Sequence, residues 1–198
     1  MVVWKRGQRL RPDVFHIPVE KIKSGWYSDK YFVRTQEVLL KDRHHPIVTM
    51  QVFCRRQATV CGLDEAIAVL KLCSKPPGRL KIFALFDGDD VMPWEPVMHI
   101  TGDYASFCHL ETIYLGIIAR RTSVATAVKK VVQAACGKQV LFFPARFDHF
   151  SVQTGDGYAA FISGALRRFN RCQRSLVGRG GNWNHSARPD CGLWRRYC

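Results

Sequence analysis

Apolar positions along the chain recur at two periods, near 3.6 and near 2, and the switches between them divide it into elements. Pro18 opens a short helix, "PVEKIKSG", which Gly25 stops. A second helix, "SDKYFVRTQEVLLKD", follows Ser28 as N-cap, with Asp29 in its first turn and Tyr31, Val38 and Leu39 on one face. "PIVTMQVFCRR" alternates and is rich in β-formers, so it reads as a strand, with "QATVCG" as its hairpin partner. "LDEAIAVLKLC" is an amphipathic helix with Leu63, Ile67, Leu70 and Cys73 inward and Asp64 and Glu65 in the first turn. "LKIFALFD" and "PVMHITG" are two more strands, on either side of the turn "DGDD".

The pattern then predicts two helices in succession, "DYASFCHLETIYLGIIARR" and "SVATAVKKVVQAAC". The corner "ARRTSVAT" would join them, with Thr122 or Ser123 as N-cap and Gly137 as the final stop. Val124, Val128, Val131, Val132 and Ala135 form the apolar stripe of the second. "QVLFF" is a strand, and "GDGYAAFISGAL" reads as a glycine-rich turn into a last helix. Helices and strands mixed in this order give an α/β or α+β fold.

Charge changes the picture only at the ends. The formal net charge is +14. Residues 166–198 hold eight Arg, no Lys and one Asp, and Lys5, Arg6, Arg9 and Arg11 crowd the first twelve residues, so the body between is nearly balanced. That body lacks the continuous basic surface of a phosphate-tracking protein, and nucleic acid is not an expected partner. The longest apolar run, Ile113–Ala119, is too short to span a bilayer, and no secretory signal precedes it, so a cytoplasmic location is expected. The eight cysteines form no C-x-x-C pair, and Cys54, Cys73, Cys108 and Cys136 sit among apolar neighbours as buried thiols. Cys172, His185, Cys191 and Cys198 lack the close pairs of a zinc site, so no metal ligand set is expected.

Two stretches carry chemistry. "VLFFPARFDHF" ends a buried-type strand with Arg146, Asp148 and His149, at the kind of strand end where α/β folds bind ligands. Arg146 offers a planar fork to a carboxylate or phosphate, and His149 a proton or hydrogen bond. The plainer reading pairs Arg146 with Asp148 and leaves His149 on a backbone carbonyl. "GWYSDKYFVRT" offers either a half-buried aromatic helix start or a stacking platform, with Arg34 beside it for an anion.

"SGWYSDKYFVRT", "GDYASFCHLETIYLGIIARRTSVAT" and "VLFFPARFDH" together resemble, in order and spacing, the nicotinate phosphoribosyltransferase family. These are type II phosphoribosyltransferases, related to quinolinate phosphoribosyltransferase. The resemblance covers about residues 13–165. It implies an α+β N-terminal domain over 13–136 and the start of an α/β barrel over 137–165, after a basic extension over 1–12. It implies a reaction in which nicotinate and phosphoribosyl pyrophosphate give nicotinate mononucleotide and pyrophosphate, assisted by ATP and accompanied by Mg2+. It implies substrate contacts at Asp29, Tyr31, Arg34, Thr35, Thr112, Arg146 and His149, with Tyr31 lent across a homodimer interface. Thr112 stands where quinolinate enzymes carry an arginine for a second carboxylate, which favours nicotinate.

The family's phosphorylated histidine has no counterpart here, so no catalytic residue is assigned and the chain alone is expected to be inactive. A quinolinate-type chain, one half of a two-chain enzyme, and a small basic nucleic-acid-binding protein stand as alternatives. The resemblance ends near Ala165. Leu166–Gly178, written in ordinary codons and read one base later, spells the family's continuation, so the expectation is an out-of-frame, disordered tail over 166–198.

Overall fold

The computed structural model describes residues 7–165 and the backbone of Arg167–Arg168. The elements run α1 (Val19–Lys23), α2 (Lys30–Lys41), β1 (Ile47–Phe53), β2 (Ala58–Thr59), α3 (Leu63–Cys73), β3 (Lys81–Ala84), β4 (Asp90–Val91), β5 (Pro96–Asp103), α4 (Tyr104–Phe107), α5 (Glu111–Ala134), β6 (Leu141–Phe142), α6 (Phe150–Ile162) and β7 (Arg167–Arg168). The α+β expectation stands. The expected tail lies outside the described residues, apart from the β7 backbone.

An antiparallel sheet in the order β1-β5-β3 forms the frame. Period-2 alternation turns Val52 and Ile100 onto α3 and α5, while Ile47, Phe53 and Phe83 stay exposed on the opposite face. The main core joins this sheet to Leu63 and Leu70 of α3, Phe107 of α4, and Tyr114 and Ile118 of α5. A second cluster packs Leu10 and Phe15 against Ala68 of α3, Ala125 of α5 and Tyr158 of α6. Arg9 and Leu10 are held there by Asp64, whose carboxylate accepts from Arg9 NH1 and from the Leu10 amide, both at 2.8 Å. Asp64 sits in the first turn of α3, as expected, and is buried there.

Several expectations are corrected. β2 pairs with β4, not with β1, so "QATVCG" is not the hairpin partner of the first strand. "ARRTSVAT" is the interior of one 24-residue helix, α5, and not a corner. The hydroxyls of Thr122 and Thr126, one turn apart, explain both facts. Thr122 Oγ1 accepts from the Cys61 amide at 3.1 Å and Thr126 Oγ1 from the Thr59 amide at 3.0 Å. Thr59 of β2 and Cys61 just beyond it thus find further backbone partners on a helix face, and Thr122 needs no capping role. The "GDG" segment lies inside α6, with Gly155 and Gly157 buried. On α2 the N-cap is Asp29, not Ser28, and Phe32 and Gln36 are the buried residues, while Tyr31 and Val38 face outward. Cys136 is exposed; Cys54 is half-buried, and Cys73 and Cys108 are buried. No helix among the described residues is long and apolar enough to cross a membrane.

Amide exchange will mark the consequence for α5. Tyr114, Ile118, Thr122 and Ala125 line its buried face. Their amides are expected among the slowest in the chain, with rates rising beyond Val128; fast exchange at Tyr114 and Ile118 would remove α5 from the core.

Candidate functional site

The sequence-predicted residues separate into two groups. The first gathers where the start of α2 meets the start of α5. Asp29 Oδ2 accepts from Thr112 Oγ1 at 3.0 Å, and the Asp29 amide donates back to the same hydroxyl at 3.2 Å. Ser28 Oγ, at 2.5 Å, donates to the His109 carbonyl and ties the turn before α2 to the turn before α5. Two residues beyond Asp29, Tyr31 lies on the outward face of α2, 60% exposed. Partial desolvation, then the Asp29 and Glu111 carboxylates, raise its phenol pKa above the usual value. Its ring meets that of Phe32 with centroids 4.2 Å apart. Thr35 Oγ1 donates to the Tyr31 carbonyl at 2.8 Å, so that hydroxyl is engaged within its own helix. Arg34 is exposed on the same element.

The second group follows β6. The turn after Phe142 closes on itself: the Phe147 and Asp148 amides both donate to the Pro144 carbonyl at 3.0 Å. Arg146 stands at φ +74°, the left-handed region that a side chain enters at a cost of about 1–2 kcal/mol. Its guanidinium lies 5.9 Å from the centre of the Phe143 ring. His149 is the N-cap of α6: its Nδ1 accepts from the Ser151 amide at 3.3 Å and lies 2.7 Å from Ser151 Oγ. The plainer reading put His149 on a carbonyl; it caps a helix instead. Asp148 faces Arg120 of α5, at 3.6 Å, in an ion pair between this turn and the body.

Sequence reasoning missed the cluster beneath this turn. Asp156 on α6 is 1% exposed. Arg120 approaches it with Nε at 3.3 Å and NH2 at 2.7 Å, and Arg121 NH1 reaches it at 3.0 Å. Arg121 Nε also bonds Glu65 of α3 at 3.2 Å. Three helices thus meet in one ionic knot. Gly155 makes room for it, since a Cβ there would lie 1.9 Å from the Arg121 guanidinium carbon. The available signal was an acid between two glycines in an otherwise apolar helix, which marks a close approach by a bulky partner. A cleft of about 350 Å³ opens beside the knot, between Phe15, Ile17, Tyr27, Ile113, Arg121 and Thr154.

Among the described residues no group of three or more His, Cys, Asp or Glu side chains is placed to hold a metal ion.

Comparison with known proteins places this geometry. Residues 29–122 match the family model "Quinolinate phosphoribosyl transferase, N-terminal domain". The nicotinate phosphoribosyltransferase pncB1 of Mycobacterium tuberculosis is 31% identical over 191 residues, spanning 81% of this chain and 42% of the relative. The chain therefore covers about two-fifths of the length of that relative. A crystal structure of nicotinate-nucleotide pyrophosphorylase from Pyrococcus furiosus superposes with a TM-score of 0.66 at 32% identity, covering 76% of this chain and 39% of that one. Human nicotinic acid phosphoribosyltransferase shares the fold, with a TM-score of 0.65 at 18% identity over 83% of this chain and 42% of its own. Domain match, fold and two identities above 30% agree, and the chain belongs to the type II phosphoribosyltransferase family.

Proposed function

We propose that this chain supplies the pyridine-recognising part of a nicotinate phosphoribosyltransferase acting in NAD salvage. In that reaction the ring nitrogen of nicotinate attacks the anomeric carbon of phosphoribosyl pyrophosphate. The new C–N bond forms as the C–O bond to pyrophosphate breaks, and pyrophosphate leaves with the electron pair. Because the substrate provides its own nucleophile, the protein has to hold and orient rather than activate a side chain. Arg146 binds a substrate anion through its fork, and His149 donates beside it. Tyr31, outward-facing and aromatic, stacks on the pyridine of a neighbouring copy in a homodimer. Arg34 adds positive charge to that face, while Asp29 and Thr35 hold the start of α2 in shape. Mg2+, carried on the pyrophosphate oxygens, supplies charge neutralisation when bound. ATP is used by the complete enzyme, and no residue of this segment is assigned to it.

The observation that carries nicotinate over quinolinate is Thr112. Its hydroxyl is neutral and already engaged, bonded both ways to Asp29. It offers no cation to a second carboxylate, and a dicarboxylate would leave that anion unpaired on binding. The test measures nicotinate mononucleotide formation from nicotinate and from quinolinate in the complete enzyme. Nicotinate is expected to be preferred, and Thr112→Arg to move the kcat/KM ratio toward quinolinate by about tenfold, the order of one charge-assisted contact. A preference for quinolinate with Thr112 in place would overturn the nicotinate reading while leaving the family standing.

A further inference from the structure

The ionic knot and the proposed anion-binding turn share one residue. Arg120 is 44% exposed in its side chain, yet it is not loose, because two of its nitrogens grip the buried Asp156. From that fixed position NH2 faces Asp148 Oδ1 at 3.6 Å. Asp148 lies between Arg146 and His149 in a tight turn. The turn is closed by two amides on the Pro144 carbonyl, and the buried Gln153 donates from Nε2 to the Asp148 carbonyl at 2.9 Å. Arg146 holds a left-handed backbone conformation, which persists only where neighbouring contacts enforce it. Asp148 is the side chain of this turn that reaches back to α5 through an ion pair.

We propose that Arg120 and Asp148 form a positioning brace. Arg120, clamped to α6 through Asp156, holds Asp148 and thereby sets the directions in which Arg146 and His149 leave the end of β6. The inference rests on the reading of Arg146 and His149 as the substrate-anion end given above. It makes a prediction opposite in sign to simple electrostatics. A carboxylate beside an anion site repels the anion, so neutralising it strengthens binding if charge is all that Asp148 contributes. If Asp148 is a brace, neutralising it weakens binding.

The experiment titrates inorganic pyrophosphate into this chain and into Asp148→Asn, Asp148→Glu and Arg146→Ala, and follows amide exchange at Phe147 and Asp148. Asp148→Asn is expected to weaken pyrophosphate binding about two- to fivefold, the range of a partly exposed ion pair. It should speed exchange at Phe147 and Asp148 by a similar factor while leaving Tyr114 and Ile118 unchanged. Asp148→Glu, which keeps the carboxylate, should restore most of the affinity. Tighter or unchanged binding in Asp148→Asn overturns the brace, and so does unchanged exchange in the turn. Binding that survives Arg146→Ala undiminished, or no binding by the parent chain, overturns the substrate-anion reading instead; exchange in Asp148→Asn then decides the brace by itself.

Discussion

Asp156→Ala is expected to cost more stability than the loss of any other ion-paired carboxylate among the described residues. Asp156 is 1% exposed and receives three nitrogen contacts from two arginines, at 2.7, 3.0 and 3.3 Å. Removing it leaves Arg121, whose side chain is 13% exposed, with Glu65 as its remaining ion-pair partner, and brings two guanidinium groups together without the anion between them. Breaking a buried ion pair from one side costs about 3–5 kcal/mol. That is a large share of the roughly 5–15 kcal/mol that holds a whole domain together. Part of the loss is moderated because Arg120 reaches solvent. Urea denaturation at neutral pH is the measurement. The parent and Asp156→Ala should differ by at least about 2 kcal/mol after that allowance, and a difference below about 1 kcal/mol would mean that the knot is ornamental. Asp13→Ala is the control, since the Arg11–Asp13 pair has side chains 72% and 60% exposed and should leave stability unchanged. Gly155→Ala tests the same knot sterically. Alanine is the better helix former, yet here it has to displace the Arg121 guanidinium, so the variant should be less stable than the parent.

Helix α5 separates what local sequence encodes from what only the tertiary fold supplies. Strands β1, β3 and β5 and helix α3 were legible because each carries its own period and its own stop signals. That Ala119–Thr126 continues one helix instead of forming a corner is not legible locally. Threonine and serine favour caps when read locally, but Thr126 serves Thr59 of β2 and Thr122 serves Cys61 just beyond it, both more than sixty residues upstream. Without knowing where β2 lies, nothing distinguishes a capping hydroxyl from one that bridges to a distant backbone. The same holds for the site. Asp29, Tyr31 and Thr112 emerged from family-like motifs, and the fold brings Asp29 and Thr112 into direct contact. Arg120 carries no local signature, and the acid between two glycines at Asp156 takes its meaning only from a helix–helix contact. A glycine flanking Asp156 suggests a turn for the same reason: local chemistry gives its freedom, and only the tertiary partner, Arg121, gives its necessity.

Two buried titratable groups should pull the stability of this chain in opposite directions between pH 7 and 4.5. His109 is 1% exposed; its Nδ1 takes the Gln36 amide at 2.9 Å, while Nε2 has no hydrogen-bond partner among the described residues. Burial, followed by the charge of Lys75, lowers its pKa to about 4. The unfolded chain protonates its histidine near pH 6.5, so this group is neutral to stability above that pH and destabilises as pH falls from about 6.5 toward 4. Asp87 runs the other way. Its carboxyl accepts from the Leu63 amide at 2.8 Å and from the Tyr158 hydroxyl at 2.9 Å, but burial and then the nearby Asp64 raise its pKa to about 7. Unfolded aspartates ionise near pH 3.9, so the folded state loses stability as pH rises from about 4 to 7, and regains it as pH falls. Between pH 7 and 4.5 each shift integrates to about 2–3 kcal/mol, with opposite sign. Single substitutions should uncover them. Asp87→Asn keeps an acceptor for Leu63 and leaves His109 alone, so stability should fall by about 2 kcal/mol on acidification. His109→Gln leaves Asp87 alone, so stability should rise by a similar amount over the same range. Denaturation midpoints at the two pH values decide the matter: parallel pH dependence in parent and both variants would show that neither group titrates with a buried pKa.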